Sequence, residues 1–307
     1  MPRAPGASDR SSPGQSAPNQ STPGQVKGIL CIIVSNGIFG LTDALSKVLT
    51  GDYPPGEILF FRSLFVLISV AVMMQVQGGW RALRIVNWRL QLARGLLLAV
   101  TSFIFVIALK HLPLADLTAM MFLSPIVLTA LAPYFLKERV GWRRWTAVGV
   151  GFCGAMLIVR PSGDVPLWPM LLAATIPLTM STRDIITRHL SKTDTATGMM
   201  LVSTLCVMAG GGVSLPFAWV TPTWEGMALF ALTGTLQGVA QFFLVYAFIY
   251  GEAVVVAPFR YFLLLWAALY GWLFFDALPR METIIGASIV VAAGLYIFSR
   301  EVRHGRS

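Results

Sequence analysis

Long apolar runs succeed one another from Lys27 to Arg300, separated only by short polar connections. They predict helices over 27–49, 56–77, 90–110, 113–136, 142–160, 166–189, 196–218, 225–249, 253–275 and 282–299. A helix needs about 20 apolar residues to cross a hydrocarbon layer of about 30 Å, and inside that layer a helix keeps its own backbone hydrogen bonds. The pattern therefore predicts an all-α integral membrane protein of ten transmembrane helices. Only His111-Leu112 separates the third and fourth runs, and a turn near Gly251 separates the eighth and ninth, so each pair is expected as a tight hairpin.

The ten runs fall into two fives. In the first run Leu41-Thr-Asp43-Ala-Leu-Ser-Lys47 is echoed in the sixth by Thr182-Arg-Asp184-Ile-Ile-Thr-Arg188, an offset of 141. The fourth run ends at Lys137-Glu138-Arg139 and the ninth at Phe275-Asp276. The fifth and tenth carry Gly154 and Gly294 and end in Arg160 and Arg300, an offset of 140. Three echoes in register argue for an internal repeat. Five helices per half is an odd number, so the halves must be inverted. The expected units are 27–160 and 166–300, flanked by tails 1–26 and 301–307.

Charge fixes the orientation. Fifteen Lys and Arg fall in 1–27, 81–89, 137–144, 188–192 and 300–306, against three (Lys110, Arg160 and Arg280) on the alternate connections. The positive-inside rule then puts both termini in the cytoplasm of a cell whose inner membrane holds the chain. The tail 1–26 is rich in Pro, Ser, Gly and Gln, lacks the apolar core of a signal peptide, and is expected to be disordered.

Composition agrees. The chain is 56% hydrophobic and 12% charged, about half the charge of a soluble domain. The net charge of +9 sits at helix ends rather than on a basic domain, so nucleic acid is not an expected partner. Cys31, Cys153 and Cys206 lie in apolar runs without metal-ligand spacing. The expected partners are the lipid bilayer and a small-molecule metabolite; no cofactor or metal is called for, and no oligomeric state is specified.

Charges inside the runs carry the chemistry, because one at mid-membrane costs about 2.5–3.5 kcal/mol. Lys47, Arg94 and Arg183 lie near helix ends, where snorkelling competes with function. Arg62 and Arg260 lie deeper, Arg62 with Glu57 near its face. Pro258 in Ala257-Pro258-Phe259-Arg260-Tyr261 predicts a kink that frees a backbone carbonyl. Asp43 shares a face with Lys47, and Asp184 with Arg188, four residues on; the Asp184 pair reads as an ion pair at a helix end. Asn36, Gly37 and Gly40 extend a small, polar stripe from Asp43, read as a cavity wall rather than a packing face. Gln237 and Gln241, four apart near mid-membrane, either bind solute or bridge helices. Tyr261, beside Arg260, suits a planar or cationic ligand. The candidate substrate-binding set is Asn36, Asp43, Arg62, Arg94, Gln237, Gln241, Arg260 and Tyr261.

Enzymatic signals are absent. Gly149-Val-Gly151-Phe-Cys-Gly154 follows an apolar helix, not a strand, so its glycines read as helix packing. There is no phosphate-binding loop, H-E-x-x-H or G-x-S-x-G, and no catalytic or metal site is assigned.

The chain resembles the drug/metabolite transporter superfamily, in its ten-helix EamA-type branch, and within it the S-adenosylmethionine-uptake-like group. The likeness rests on Asp43-x-x-x-Lys47, Phe60-Phe61-Arg62, Arg94-Gly95-Leu-Leu-Leu98, Trp145 with Gly151-Phe152 and Arg160-Pro161, Asp184-Ile-Ile, and Ala257-Pro258-Phe259-Arg260-Tyr261. The resemblance implies a substrate cavity between the halves, alternating access by rocking, and Asp43, Arg62, Arg94 and Arg260 in or near that cavity. Relatives often carry a Pro in the middle of both the fourth and ninth helices. Here Pro125 fits, but Leu264-Leu265 occupies the second place. The expected activity is secondary transport of a small polar or zwitterionic metabolite, of the amino acid or S-adenosylmethionine class. The alternatives are a proton-coupled exporter of amino acids or amphipathic cations and, less favoured, a non-transporting component.

Overall fold

Among the described residues of the computed structural model, seven helical stretches are long and apolar enough to cross a membrane: Gly24–Leu49, Pro55–Val76, Trp88–His111, Leu114–Leu131, Ala196–Ser214, Trp224–Tyr250 and Pro258–Phe275. Trp145–Ile158 and Met281–Tyr296 are shorter apolar helices. The structure describes residues 23–76, 79–135, 142–159, 167–251 and 253–304. Expectations for tail residues 1–22 and 305–307, and for the Lys137-Glu138-Arg139 and Arg160 echoes, lie outside them.

The helices are α1 (Pro23–Leu49), α2 (Pro55–Val76), α3 (Trp88–His111), α4 (Leu114–Met121), α5 (Ser124–Phe135), α6 (Trp142–Val159), α7 (Leu167–Ala174), α8 (Ile176–Leu190), α9 (Ala196–Ser214), α10 (Trp224–Tyr250), α11 (Ala253–Val256), α12 (Phe262–Phe275) and α13 (Met281–His304). Short 3-10 turns span Gly79–Ala82 and Ala257–Tyr261. Within the described residues the first helix is already present at Pro23, four residues before the sequence expectation. At its 27 residues α1 is about 40 Å long. Thr195 and Thr223 cap α9 and α10 by accepting the N–H of Gly198 and Gly226 at 3.3 and 3.1 Å.

Three of the expected continuous runs are broken. The fourth parts at Phe122-Leu123, the sixth at Thr175, and the ninth through the 3-10 turn Ala257–Tyr261. Each break sits next to a proline: Pro125, Pro177 or Pro258. A proline within a helix withholds an N–H and crowds the carbonyl four residues back. The kink expected at Pro258 is present; those at Pro125 and Pro177 were not anticipated.

Contacts show that α1 begins beside the end of α10 and ends on the same face as α3. A Cβ on Gly28, near the start of α1, would lie 2.8 Å from the Ala247 carbonyl oxygen near the end of α10. Near the other end of α1, Lys47 reaches the end of α3. One face thus gathers the connections holding Arg84, Arg89, Arg188 and Lys192, here called the basic face; the opposite one is the far face. α1 packs on α10 and α12, α3 on α8 and α9, α2 on α9 and α10, α5 on α8, α4 on α12, and α6 on α13. Small residues permit the closest crossings. A Cβ on Gly154 would meet the Gly286 carbonyl oxygen at 2.8 Å, and one on Gly286 the Gly154 oxygen at 2.6 Å. Gly154 is therefore a packing residue, as its motif context predicted. The largest fully buried side chains concentrate toward the far face, with Leu49, Ile58, Leu59, Leu109, Leu112, Leu114 and Leu117 at most 1% exposed.

Candidate functional site

A cavity of about 270 Å³ lies where the breaks in the fourth and ninth spans meet α8 and α13. Its lining includes Phe122, Ser124, Thr129, Asp184, Arg260 and Tyr261, with Met121, Met180, Leu128, Leu263 and Leu295 supplying apolar wall. Thr129 and Asp184 each stand six residues before the end of their helix, so the cavity occupies the half nearer the basic face. At its deep end the rings of Phe122 and Tyr261 approach to 4.9 Å between centroids, tilted by 40°. The two helix breaks therefore touch through their aromatic side chains.

Arg260 is exposed although it sits between helices, because its surface faces this void. Among the described residues its guanidinium donates no hydrogen bond and closes no ion pair, while it senses the charges of Asp184 and Arg183. Asp184 pairs with its neighbour Arg183, whose Nε and Nη2 both donate to Oδ1 at 3.0 and 2.7 Å. The expected Asp184–Arg188 pair is thus replaced by an adjacent one, and Oδ2 takes no hydrogen bond from a described residue. Asp184, set aside as a helix-end anchor, lines the cavity. So do Phe122, Ser124 and Thr129, which the sequence reading missed; the Ser124-Pro125 break was the available signal.

Asn36 supports the site from outside. Its Nδ2 donates to the carbonyl oxygens of Phe259 and Arg260, at 2.9 and 3.4 Å. Both oxygens lie in the 3-10 turn that follows Pro258, where they also receive the Phe262 N–H, so Asn36 adds a second donor that ties this turn to α1. The Gly37 and Gly40 stripe proves to be a packing face: Cβ atoms there would lie 3.2 Å from Trp266, and Gly40 meets Tyr270 at the same distance.

The other candidates stand apart. Asp43 lies seven residues beyond Asn36, about 10 Å along α1 toward the far face. It senses the charge of Arg62 but makes no hydrogen bond or ion pair with a described residue. Arg62 Nη1 instead donates to Ser46 Oγ at 3.3 Å. Glu57 does not reach Arg62: fully buried, it accepts the Val220 N–H at 3.0 Å. Lys47 does not reach toward the headgroups but donates to the carbonyl oxygens of Leu109, at 3.0 Å, and Leu112. Those groups end α3 without helical partners. Arg94 braces three helices, giving Nε to Thr187 Oγ1 at 2.8 Å and Nη1 to the Met199 carbonyl and Ser203 Oγ at 3.0 and 2.5 Å. Gln237 and Gln241 are half-buried and hydrogen-bond no described residue. Of the candidates, then, the structure brings Arg260 and Tyr261 to the cavity and Asn36 behind them. Asp43 with Arg62 forms a second polar layer.

What such an arrangement can do is hold a small solute that carries a ring and both charges. A free guanidinium binds an anionic group bidentately, an under-used carboxylate oxygen accepts from an ammonium, and an aromatic pair stacks a flat ring.

Known proteins place the chain. Residues 26–160 match the EamA-like transporter family. A riboflavin transporter of Rhizobium johnstonii is 33% identical over 92% of this chain and 94% of its own length. An S-adenosylmethionine uptake transporter of Rickettsia prowazekii is 28% identical over 92% of this chain and 96% of its own. A pseudopaline exporter of Pseudomonas aeruginosa is 28% identical over 87% and 94%. A crystal structure with 16% identity superposes with a TM-score of 0.63 over 92% of this chain and 99% of its own, a likeness of fold. The chain belongs to the EamA-like transporter family of the drug/metabolite transporter superfamily and is a multi-pass membrane protein.

Proposed function

We propose that the protein is a secondary transporter that carries a small polar or zwitterionic metabolite through the cavity at Arg260 by alternating access. The observation that carries this reading is Arg260 itself: a charged side chain inside a membrane-spanning bundle, facing a cavity, with its donors unspent among the described residues. Such a charge is costly unless a ligand or water meets it. Arg260 takes the anionic group of the solute, Asp184 takes a cationic group, and Phe122 with Tyr261 receives a flat ring. At about 270 Å³ the cavity stands near the lower bound of small-ligand pockets, about 300–1,000 Å³. A zwitterion with a heteroaromatic ring, of the S-adenosylmethionine class, meets all three demands; an amino acid meets the charges alone. Names of relatives support both a flat-ring cargo and either direction of movement.

The scaffold for this reading is ten spans in two inverted fives, 27–160 and 166–300. The fourth span is α4 with α5, the sixth is α7 with α8, and the ninth is α11 with α12. Packing supports the two-fold exchange: α1 on α10 answers α3 on α8, α1 on α12 answers α5 on α8, and α2 on α10 answers α3 on α9. α2 on α9, α4 on α12 and α6 on α13 pair each span with its own counterpart. The basic face is assigned to the cytoplasm, with both termini there and the chain in the inner membrane.

A second reading, proton-coupled export, is favoured by Asp43, a carboxylate in α1 with no bonded partner among the described residues and only the field of Arg62 to balance it. Purified protein in proteoliposomes, offered a panel of labelled amino acids, S-adenosylmethionine and riboflavin with and without a pH gradient, separates the readings. Gradient-independent uptake of one solute supports the first; flux only against an imposed proton gradient supports the second. Absence of flux for every solute in folded protein overturns both.

A further inference from the structure

At the far face, polar contacts tie helix ends from early and late parts of the chain together. Asp116, 2% exposed, stands in the first turn of α4. Both of its oxygens are held by the first turn of α13 and the residue before it: Thr283 Oγ1 donates to Oδ1 at 2.6 Å, and Arg280 Nη2 to Oδ2 at 3.1 Å. Beside them Lys47 is fastened to the Leu109 and Leu112 carbonyls, lies 5.4 Å from the centre of the Phe275 ring, and senses the charge of Asp116. The far-face ends of α1, α3, α4, α12 and α13 are thereby gathered at one place. Directly beneath, Leu49, Leu109, Leu112 and Leu114 are at most 1% exposed. The cavity lies in the half near the basic face, where Asp184 and Arg260 face the same void unpaired with one another.

We propose that Asp116, Arg280 and Thr283, with Lys47 behind them, form the gate of the far face, and that this structure is the state in which that gate is shut. The inference rests on the alternating-access reading. Its chemistry suits an element with two arrangements. A buried ion pair adds little net stability over well-packed apolar groups, because desolvation offsets most of the attraction. Parted, the same charges are rehydrated at the helix ends.

The test reads access rather than flux, so its failure is distinct from a wrong solute. In a background with Cys31, Cys153 and Cys206 replaced by alanine, Met180→Cys reports the cavity to a membrane-impermeant maleimide applied from either side of oriented vesicles. Asp116→Asn is expected to raise labelling from the far side at least threefold and to lower it from the basic side. The exchange Asp116→Arg with Arg280→Asp returns both rates toward the parent. Should Asp116→Asn fail to reach the membrane, Thr283→Val gives a smaller shift in the same direction. Labelling from both sides that stays at the parental rate in the folded variants, whether or not their melting temperature falls, makes the network a static strut and overturns the proposal.

Discussion

Tyr53 and Asp194 do the same job at opposite faces of the molecule with different chemistry. The Tyr53 hydroxyl oxygen accepts the N–H of Thr223, the residue that caps α10, at 3.2 Å. Asp194 Oδ1 accepts the N–H of Val86, one residue before the cap of α3, also at 3.2 Å. The two stand 141 positions apart, the same offset that relates Asp43 to Asp184. One latch is a neutral phenol, the other a carboxylate that also takes Gln91 Nε2 at 2.7 Å and Thr193 Oγ1 at 2.8 Å.

The carboxylate latch makes the basic face sensitive to acid. Burial pushes the Asp194 carboxyl up, but hydrogen bonds from Gln91, Thr193, Val86 and Asn87 outweigh it and hold the group below its ordinary value of 3.8. A group whose folded value is depressed stabilises the protein above its unfolded value, and that contribution is lost as pH falls through the folded one. Thermal melts in detergent should therefore show the wild type losing stability below about pH 4, with Asp194→Asn losing less over the same range. At neutral pH Asp194→Asn is expected to cost about 1–3 kcal/mol, since it weakens several bonds to a charged acceptor.

Arg260→Ala should lower solute uptake at least tenfold, about 1.4 kcal/mol of lost binding or more, with unchanged membrane insertion. Asp184→Asn should weaken a zwitterionic solute more than an anionic one. Concentration-dependent uptake in proteoliposomes measures both; parental flux in Arg260→Ala removes that residue from the site.

Arg94 should behave differently. Its Nε and Nη1 are spent on Thr187, Met199 and Ser203, so Arg94→Ala is expected to lower the melting temperature while shifting the KM of the remaining flux by less than threefold, about 0.6 kcal/mol. A large rise in KM at parental stability would make Arg94 a solute contact after all.

The α6–α13 crossing tolerates no side chain at its centre. A Cβ on either Gly154 or Gly286 would meet the opposite backbone oxygen below 3.0 Å. Gly286→Ala should destabilise by about 1–3 kcal/mol, and Gly149→Ala, where a Cβ would meet nothing within 4 Å, should be close to neutral. Melting curves of the two variants side by side check the difference.

The sequence by itself determined what depends on one dimension: the apolar runs, the basic side, the echo of Asp43 by Asp184, and the kink at Pro258. Those features follow from the lengths that a membrane imposes and from backbone chemistry local to a few residues. Only the tertiary structure decided the partners. Lys47 belongs to α3's last carbonyls rather than to Asp43, Glu57 to Val220 rather than to Arg62, and Asp184 to the cavity rather than to Arg188. In a soluble helix the polar face would have announced which side was buried. A membrane helix is apolar toward both lipid and protein, so its sequence does not say which neighbour a rare polar residue meets. The contacts that answer this question join residues as far apart as Asn36 and Phe259.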